Sequence, residues 1–275
     1  MSNLREKTSS IRGDVPVDDQ SFEAFLDLLE MQDRLKDEYS NTLNRLDMQA
    51  AKEAVESGTP ASMAVGLWLS EEEVGSSVKA IAELVVNRIT SEAANVQMIV
   101  DAWNNGRLRL AEVAKRMLAG EVSEADSLAG EAGVDSAAMK TLVAWSIQPA
   151  YTALSERLVS EVDLSAWHAG RCPVCGSFAR LGFVDRDGAF NLKCQFCGTE
   201  WGYQQDKCPF CGNDDAQLVT TVDAGKGKPF KLSVCHVCTG YWKIVDERMM
   251  EGEVPRAFYD IWTLMLDIVA DRLLG

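Results

Sequence analysis

Positive charge, histidine and long apolar runs are all scarce in this chain of 275 residues. Lys and Arg number 27 against 42 Asp and Glu, which gives a formal net charge of -15. A surface of that sign repels phosphate backbones and anionic lipid, so the composition argues against nucleic-acid binding. The sequence also has no run of 18 apolar residues, so no membrane span is expected.

The first 14 residues carry no apolar stretch like that of a secretory signal, so we expect a cytoplasmic protein. In that compartment thiols stay reduced, and cysteine pairs are more often metal ligands or redox groups than structural disulfides.

Cysteine and histidine are absent from the first 165 residues, where apolar residues recur at spacings of three and four. That spacing predicts a helical domain, and the region offers no catalytic constellation. Ser70 followed by Glu73 predicts a capped helix start, and Pro149 is expected to kink or divide the last helix. The tryptophans of these stretches are expected to lie in the core: Trp68, Trp103 and Trp145.

At His168 the sequence changes to short alternating segments punctuated by Gly, Asp and Cys. We therefore predict an all-helical N-terminal domain followed by two tandem rubredoxin-like or zinc-ribbon tetracysteine modules, a small β component, and a C-terminal helix. The expected segments are a flexible arm at 1–20, the helical domain at 21–166, the first ribbon at 167–206, the second ribbon at 207–248 and the last helix at 255–275.

The eight cysteines fall into four Cys-x-x-Cys pairs, and none is left over. Gly directly follows three of the pairs, while Gly240 lies behind Thr239 after the fourth. A tight knuckle needs a positive φ at this point, and glycine adopts it at least steric cost. The pairs are Cys172 and Cys175, Cys194 and Cys197, Cys208 and Cys211, and Cys235 and Cys238.

Two predicted hairpins decide which pairs belong together. One fills the segment 178–193 with a turn at 185–188, and the other runs from 218 to 234 with a turn at 225–227. Each hairpin returns the chain beside the pair that precedes it, which favours two sequential sites and two semi-independent units. The alternative places the two inner pairs on one metal and the two outer pairs on another.

Four such pairs with knuckle glycines predict two metal ions per chain, each held by four cysteines. The competing interpretation, four dithiols in thiol exchange, requires pairs at helix N-termini, whereas strands flank these pairs. Zinc is the default metal, and iron stays open because Cys-Pro-x-Cys-Gly is also the rubredoxin form. His168 and His236 are interpreted as exposed or supporting groups because four sulfurs already complete each site.

The four cysteine pairs are compatible with three functional hypotheses. A scaffold or chaperone uses the metal ions to hold its shape, a redox protein uses two similar iron sites for electron transfer, and a ribbon binds nucleic acid. Residues 168–248 carry ten Lys and Arg against nine Asp and Glu. That segment therefore lacks the basic stripe of a nucleic-acid-binding ribbon.

The segment Trp167 to Lys243 resembles the FdhE family of formate dehydrogenase accessory proteins. The resemblance rests on the string Cys-Gly-Thr-Glu-Trp from Cys197 to Trp201 and on the ending Cys-x-x-Cys-x-x-Tyr-x-Lys. It implies a non-catalytic maturation factor that binds the catalytic subunit of a molybdenum or tungsten formate dehydrogenase, or of a related enzyme. The family's eight metal-ligand cysteines are matched one for one.

Overall fold

The computed structural model describes residues 4–224 and 227–274. They form two compact units, each made of separate stretches of the sequence. The helical unit comprises Val17–Leu46 and Gly66–Ala153. The ribbon unit comprises Met1–Pro16, Asp47–Val65 and Leu154–Gly275. Within the described ranges, no helix has the length and apolar character needed to cross a membrane.

The described helices and strands follow one another in the order of the labels used below. The α-helices are α1 (Leu4–Thr8), α2 (Asp19–Glu38), α3 (Ser40–Leu43), α4 (Met48–Glu56), α5 (Ala61–Val65), α6 (Glu71–Arg88), α7 (Ala93–Asn104), α8 (Leu110–Leu118), α9 (Val122–Ala132), α10 (Ser136–Val159), α11 (Tyr259–Trp262) and α12 (Leu264–Leu274). The strands are β1 (Leu181–Val184), β2 (Phe190–Lys193), β3 (Glu200–Gly202), β4 (Val219–Asp223), β5 (Phe230–Cys235) and β6 (Tyr241–Asp246).

Helix α6 is central to the helical unit and contacts α2, α7 and α8. Its start confirms the predicted capping box, because Ser70 Oγ accepts the Glu73 backbone N–H while Glu73 accepts that of Ser70. Pro149 lies inside α10 without dividing it, so the sequence's alternative of two separate helices is not realised.

The tryptophans of the helical unit are less buried than the sequence predicts. Trp68 is 60% exposed, so its assignment to the core is wrong. Trp103 and Trp145 are half-buried. Trp103 lies so close to Gly75 of α6 that a Cβ there would come within 2.1 Å of its ring, which explains why glycine occupies that helix position. The exposed ring of Trp68 is partly covered by Lys115, whose Nζ lies 5.5 Å from the ring centroid.

The ribbon unit contains one six-stranded sheet with the order β3-β2-β1-β6-β5-β4. Both predicted hairpins are confirmed: β1 pairs with β2, and β4 pairs with β5, in antiparallel register. In the first turn, Asp185 accepts hydrogen bonds from the backbone N–H groups of Asp187 and Ala189. Of the second predicted turn, Gly225 and Lys226 lie outside the described residues.

A parallel pairing of β1 with β6 joins the two ribbons into this single sheet. The register sets Leu181 opposite Lys243 and Val184 opposite Asp246. This differs from the semi-independent units expected from the sequence. The reason is that β6 follows the last cysteine pair and continues past the second hairpin to reach the first.

The C-terminal segment packs on the sheet through α12, which contacts β5 and β6. Lys243, only 1% exposed, donates hydrogen bonds to the Asp260 carboxylate at 2.6 Å and the Asp267 carboxylate at 2.8 Å. Trp262 meets Phe230 edge-on with 4.7 Å between ring centroids. A helical N-terminal region, a small sheet, two cysteine groups and a C-terminal helix confirm the predicted fold class.

The N-terminal segment, expected to be a flexible arm, is helical over α1 and a 3-10 helix at Ser9–Asp14. Ile11 and Val15 are buried, so this part of the chain contributes apolar side chains to a core. The ribbon unit also contains Asp47–Val65, which the composition groups with the other helices. The predicted domain bounds otherwise stay a prediction.

Candidate metal centres

All four cysteine pairs fold into the same knuckle. In each, the N–H of the first cysteine donates to the carbonyl five residues later, and the N–H four residues later donates back to the cysteine carbonyl. These bonds measure between 2.8 and 3.0 Å. The residue that closes each turn has a positive φ: Gly176 at 78°, Gly198 at 77°, Gly212 at 75° and Thr239 at 57°. The glycine prediction therefore holds at three knuckles, and Thr239 rather than Gly240 closes the fourth.

The first hairpin brings Cys172 and Cys175 beside Cys194 and Cys197. The Sγ atoms of Cys172 and Cys197 lie 3.4 Å apart, and those of Cys175 and Cys194 lie 3.5 Å apart. All four sulfurs lie within 4.8 Å of one another. This set, which we call the first centre, has the sequential grouping that the hairpin predicts.

The second hairpin does the same for Cys208, Cys211, Cys235 and Cys238, the second centre. Here Cys208 and Cys238 have Sγ atoms 3.6 Å apart, and Cys211 and Cys235 have Sγ atoms 3.7 Å apart. The alternative grouping of inner and outer pairs is not observed.

The sulfur spacing fits a tetrahedral metal ion and not a disulfide. A zinc ion about 2.3 Å from each of four sulfurs sets neighbouring sulfurs about 3.8 Å apart, whereas a disulfide requires about 2.05 Å. The observed distances of 3.4 to 3.7 Å lie near the first value. Each centre can therefore hold one metal ion.

The pKa values of the clustered thiols indicate that a bound cation would stabilise the centres. Burial raises the pKa of the Cys197 thiol, and it raises that of Cys208 to about 12. Hydrogen bonds lower the pKa of Cys172 in the first centre and of Cys211 in the second, so the thiols of a centre do not all resist ionisation. All four cannot ionise together without a counter-charge, because each buried thiolate is poorly solvated and repels the next. A bound divalent ion reverses this preference and holds coordinating thiols deprotonated.

Two hydroxyl groups lie in series beside the first centre, and none of the described residues forms such a contact with a sulfur of the second. Thr199 Oγ1 lies 3.0 Å from Cys197 Sγ and 2.7 Å from Ser155 Oγ. If a bound metal ion holds Cys197 as a thiolate, which has no proton to give, Thr199 would donate to the sulfur and Ser155 to Thr199. Thr199 is part of the string that carries the family resemblance, but its role and that of Ser155 at the end of α10 were not predicted from the sequence.

The first knuckle is also held from outside the hairpin. The backbone N–H groups of Ala61 and Ser62 donate to the carbonyls of Pro173 and Val174 at 2.8 and 2.9 Å. These residues begin α5, which the sequence pattern does not connect with the cysteines. Because this contact joins residues more than a hundred positions apart, no local sequence pattern predicts it.

Both histidines lie outside the cysteine groups and are exposed. His236 Nε2 lies 2.7 Å from Thr220 Oγ1 on the neighbouring strand. Among the aromatic residues near the cysteine pairs in the sequence, Trp167, Trp201 and Trp242 are buried.

The two centres differ in exposure. In the first centre Cys172, Cys194 and Cys197 are buried and Cys175 is half-buried. In the second, Cys208 and Cys235 are buried, Cys238 is half-buried and Cys211 is exposed. Solvent therefore reaches the second centre through Cys211.

No family model matches the chain. Among curated proteins, the FdhE homolog of Aquifex aeolicus is 28% identical over 146 residues, which is 52% of this chain and 50% of that protein. The FdhE homolog of Shewanella baltica strain OS185 is 32% identical over 100 residues, or 35% of this chain and 32% of that protein. The matches thus span half or less of the curated relatives' length.

Among solved structures, the crystal structure of the FdhE protein from Pseudomonas aeruginosa has a TM-score of 0.66 and covers 98% of this chain and 90% of its own. Sequence identity to it is 18%, so this likeness concerns the fold.

Proposed function

We propose that the chain belongs to the FdhE family and that it is an accessory factor in the maturation of a formate dehydrogenase or a related molybdenum or tungsten enzyme. In this proposal it binds the catalytic subunit during assembly and catalyses no reaction itself. The observation that carries the proposal is the pair of complete four-sulfur groups on a fold that matches an FdhE protein over 98% of the chain.

The metal ligands in this proposal are the eight cysteines, with one ion in each centre and zinc as the preferred ion. Zinc accepts tetrahedral thiolate sites and, when bound, supplies the positive charge that stabilises four thiolates together. Each bound ion then links the cysteine pair before a hairpin to the pair at its end. Structural sites of this kind contribute directly to folding.

A non-catalytic role is supported by the completeness of both ligand sets. A catalytic zinc site has three protein ligands and keeps one position for water or substrate. Here each group already offers four sulfurs within 4.8 Å of one another. The centres are therefore suited to support a binding surface.

Elemental analysis of protein purified without chelator tests the metal assignment. Two metal ions per chain are expected, and the protein should be colourless if the ion is zinc. A ratio near zero, with all eight thiols reacting freely in the native protein, would refute the scaffold role.

Co-purification with the catalytic subunit of a formate dehydrogenase tests the partner. We expect a complex with the separately expressed subunit, and none with the finished enzyme, because the factor is not part of the assembled product. A chain that carries both metals yet never binds the subunit, under conditions where the subunit is folded, would contradict the proposal.

Electron transfer is the second candidate, and the exposure of Cys211 favours it. An exposed thiolate gives a redox partner close access to a metal. A red protein with iron in both centres and a reversible one-electron reduction would support that candidate. Duplex DNA binding is not expected at physiological salt, given the formal charge of -15.

A further inference from the structure

The sheet of the ribbon unit ends in an unusually open strand, β4. It pairs with β5 alone among the described strands. The opposite edge, β3, is only three residues long and ends in Gly202. Short edge strands are one of the ways in which proteins prevent unwanted strand pairing. The β4 edge has five residues and lacks that protection.

The register shows which backbone groups of β4 point outward. His236 N–H donates to the Leu218 carbonyl, and Ala224 N–H donates to the Phe230 carbonyl. In an antiparallel ladder the bonded residues alternate, so Thr220 and Val222 also bond to β5. The N–H and C=O groups of Thr221 and Asp223 therefore point away from the sheet. The Val219 C=O group also points away from the sheet, while the Val219 N–H donates a hydrogen bond to the Ala216 carbonyl.

The side chains of this edge do not block it. Thr220, Thr221, Val222 and Asp223 are all exposed. The strand has neither the lysine nor the proline that commonly protects an edge. Val222 and Leu218 are each 40% exposed, which leaves apolar surface beside the open backbone groups.

Charge indicates the kind of strand that would fit. Residues 212–224 contain Asp214, Asp215 and Asp223 and no Lys or Arg, and Lys231 of β5 is the basic residue opposite Asp223 in the register. Side chains alternate between the two faces of a strand, so Asp223 and Val222 lie on opposite faces. A complementary strand alternates basic residues beside Asp223 with apolar residues beside Val222.

We propose that the β4 edge binds an extended segment of a partner protein, with alternating apolar and basic residues, by strand addition to the sheet. Main-chain hydrogen bonds to Thr221 and Asp223 supply affinity, and the alternating side chains supply selectivity. The identity of the partner rests on the proposed function, in which it is the catalytic subunit. A second copy of this chain fits less well, because it would bring the same acidic edge and a formal charge of -15.

The probe is a fluorescent eight-residue peptide that alternates valine with lysine, titrated against the metal-loaded full-length chain by anisotropy. Two control peptides replace lysine with glutamate or carry N-methyl groups on alternate amides. We expect saturable binding of the first peptide alone. The methylated peptide needs no change in the protein, so its result does not depend on the folding of a variant.

Thr221→Pro is the matching change in the protein. Its outward N–H makes no bond to β5, so proline removes an edge donor without removing a ladder hydrogen bond. Thr221→Ala is the control, because both variants lose the 2.7 Å hydroxyl contact with Ser233 but only proline loses the amide. We expect about a tenfold loss of peptide affinity for the proline variant, of the order of one charge-assisted or cooperative hydrogen bond, and less than about twofold for alanine.

Amide hydrogen exchange locates the binding. The amides of Thr221 and Asp223 should exchange rapidly in the free chain and become protected by the peptide, while those of Thr220 and Val222 are protected throughout. Protection of Thr221 in the free chain, equal peptide binding by the Thr221→Pro and Thr221→Ala variants, or a dimer that forms through β4 would each overturn the inference.

The purified catalytic subunit separates this inference from the proposed function. If the wild-type chain and the Thr221→Pro variant bind it equally well, the edge inference fails and the proposed function stands. If the chain binds the peptide at β4 but never the subunit, the edge inference stands and the proposed function fails.

Discussion

Thr239 has a backbone conformation that β-branched residues rarely adopt. Its φ is 57°, and among the described residues it is the only one other than glycine with a positive φ. The left-handed region costs an L-residue about 1–2 kcal/mol, since Cβ approaches the following carbonyl. The second centre therefore includes backbone strain that the three glycine knuckles avoid.

Replacing Thr239 with glycine should stabilise the metal-loaded protein. Relief of the strain exceeds the about 0.4–1 kcal/mol that a more flexible unfolded chain costs, so we expect a gain of a few tenths to about 1 kcal/mol. Urea denaturation of wild type and Thr239→Gly measures it. Gly198→Ala is the matched control with the opposite sign, because a Cβ there meets no atom within 4 Å and its φ is +77°. A destabilised Thr239→Gly protein would show that the threonine side chain contributes more than its backbone costs.

At the residue scale, the cysteine grouping and three knuckle glycines were predictable because they depend on spacing along the chain. Thr239 was not, since the sequence offered Gly240 one position later as the residue for the turn. The prediction for Trp68 was wrong because the residue lies in the loop between the end of α5 at Val65 and the start of α6 at Glu71, and not on a helix face.

Three consecutive glutamates at the start of α6 illustrate how an element is held by different contacts. The sequence indicates a solvated first turn that complements the helix dipole for all three. In the structure Glu72 is exposed, and Glu73 completes the capping box and also contacts Thr42 and Arg45. Glu71 caps another helix, accepting the N–H groups of Leu110 and Ala111 at 2.7 and 3.1 Å at the start of α8.

Glu71→Ala should therefore destabilise the helical unit by about 1–2 kcal/mol, the usual effect of losing a helix cap. Glu72→Ala changes the same charge on the same turn without removing a cap, and we expect less than about 0.5 kcal/mol. Chemical denaturation of the two variants compares them directly. Equal losses would mean that charge at the α6 N-terminus, and not the cap on α8, is what matters.

Tyr39 links α6 and α10 at the end of α2, with its hydroxyl 2.7 Å from Ser77 Oγ and 3.4 Å from the Ser146 carbonyl. Burial raises the pKa of Tyr39 from 10.0 to about 12. Between these values the unfolded chain loses the phenolic proton while the folded chain keeps it. The folded state then binds more protons, so its stability falls as pH rises.

Tyr39→Phe should remove that part of the alkaline loss. At neutral pH the variant should be less stable by about 1 kcal/mol, because Ser77 loses its hydrogen-bond partner. From about pH 10 to about pH 12 its stability should decline less steeply than that of the wild type, as followed by urea denaturation. Parallel curves over this range would contradict the raised pKa, since every other titrating group is common to both proteins.

At the element scale, both hairpins were predictable from strand alternation and turn residues. The parallel pairing of β1 with β6 was not, because it joins segments about 60 residues apart and no local pattern marks it. The same limit applies to the contact of α5 with the first knuckle. Long-range contacts of this kind turn two predicted ribbons into one sheet.

For the whole molecule, the main consequence of the fold is that two chemically equivalent centres have different surroundings. The first has three buried cysteines, and the Thr199 hydroxyl lies against one of its sulfurs. The second is open at Cys211 and includes the strained Thr239. Hydrogen bonds to ligand sulfur and exclusion of water both stabilise a metal–thiolate site, so the two centres should hold their metals unequally.

A chelator should therefore remove metal from the second centre first. With a metallochromic dye we expect release in two phases of one ion each, the faster one from the second centre. Cys211→Ser should abolish the fast phase and leave the slow one. Cys175→Ser, at the equivalent position of the first centre, should abolish the slow phase instead. Release in a single phase from the wild type would show that exposure does not control access to the metal. Loss of the slow phase in Cys211→Ser would show instead that the two centres are coupled through the shared sheet, in which β1 pairs with β6.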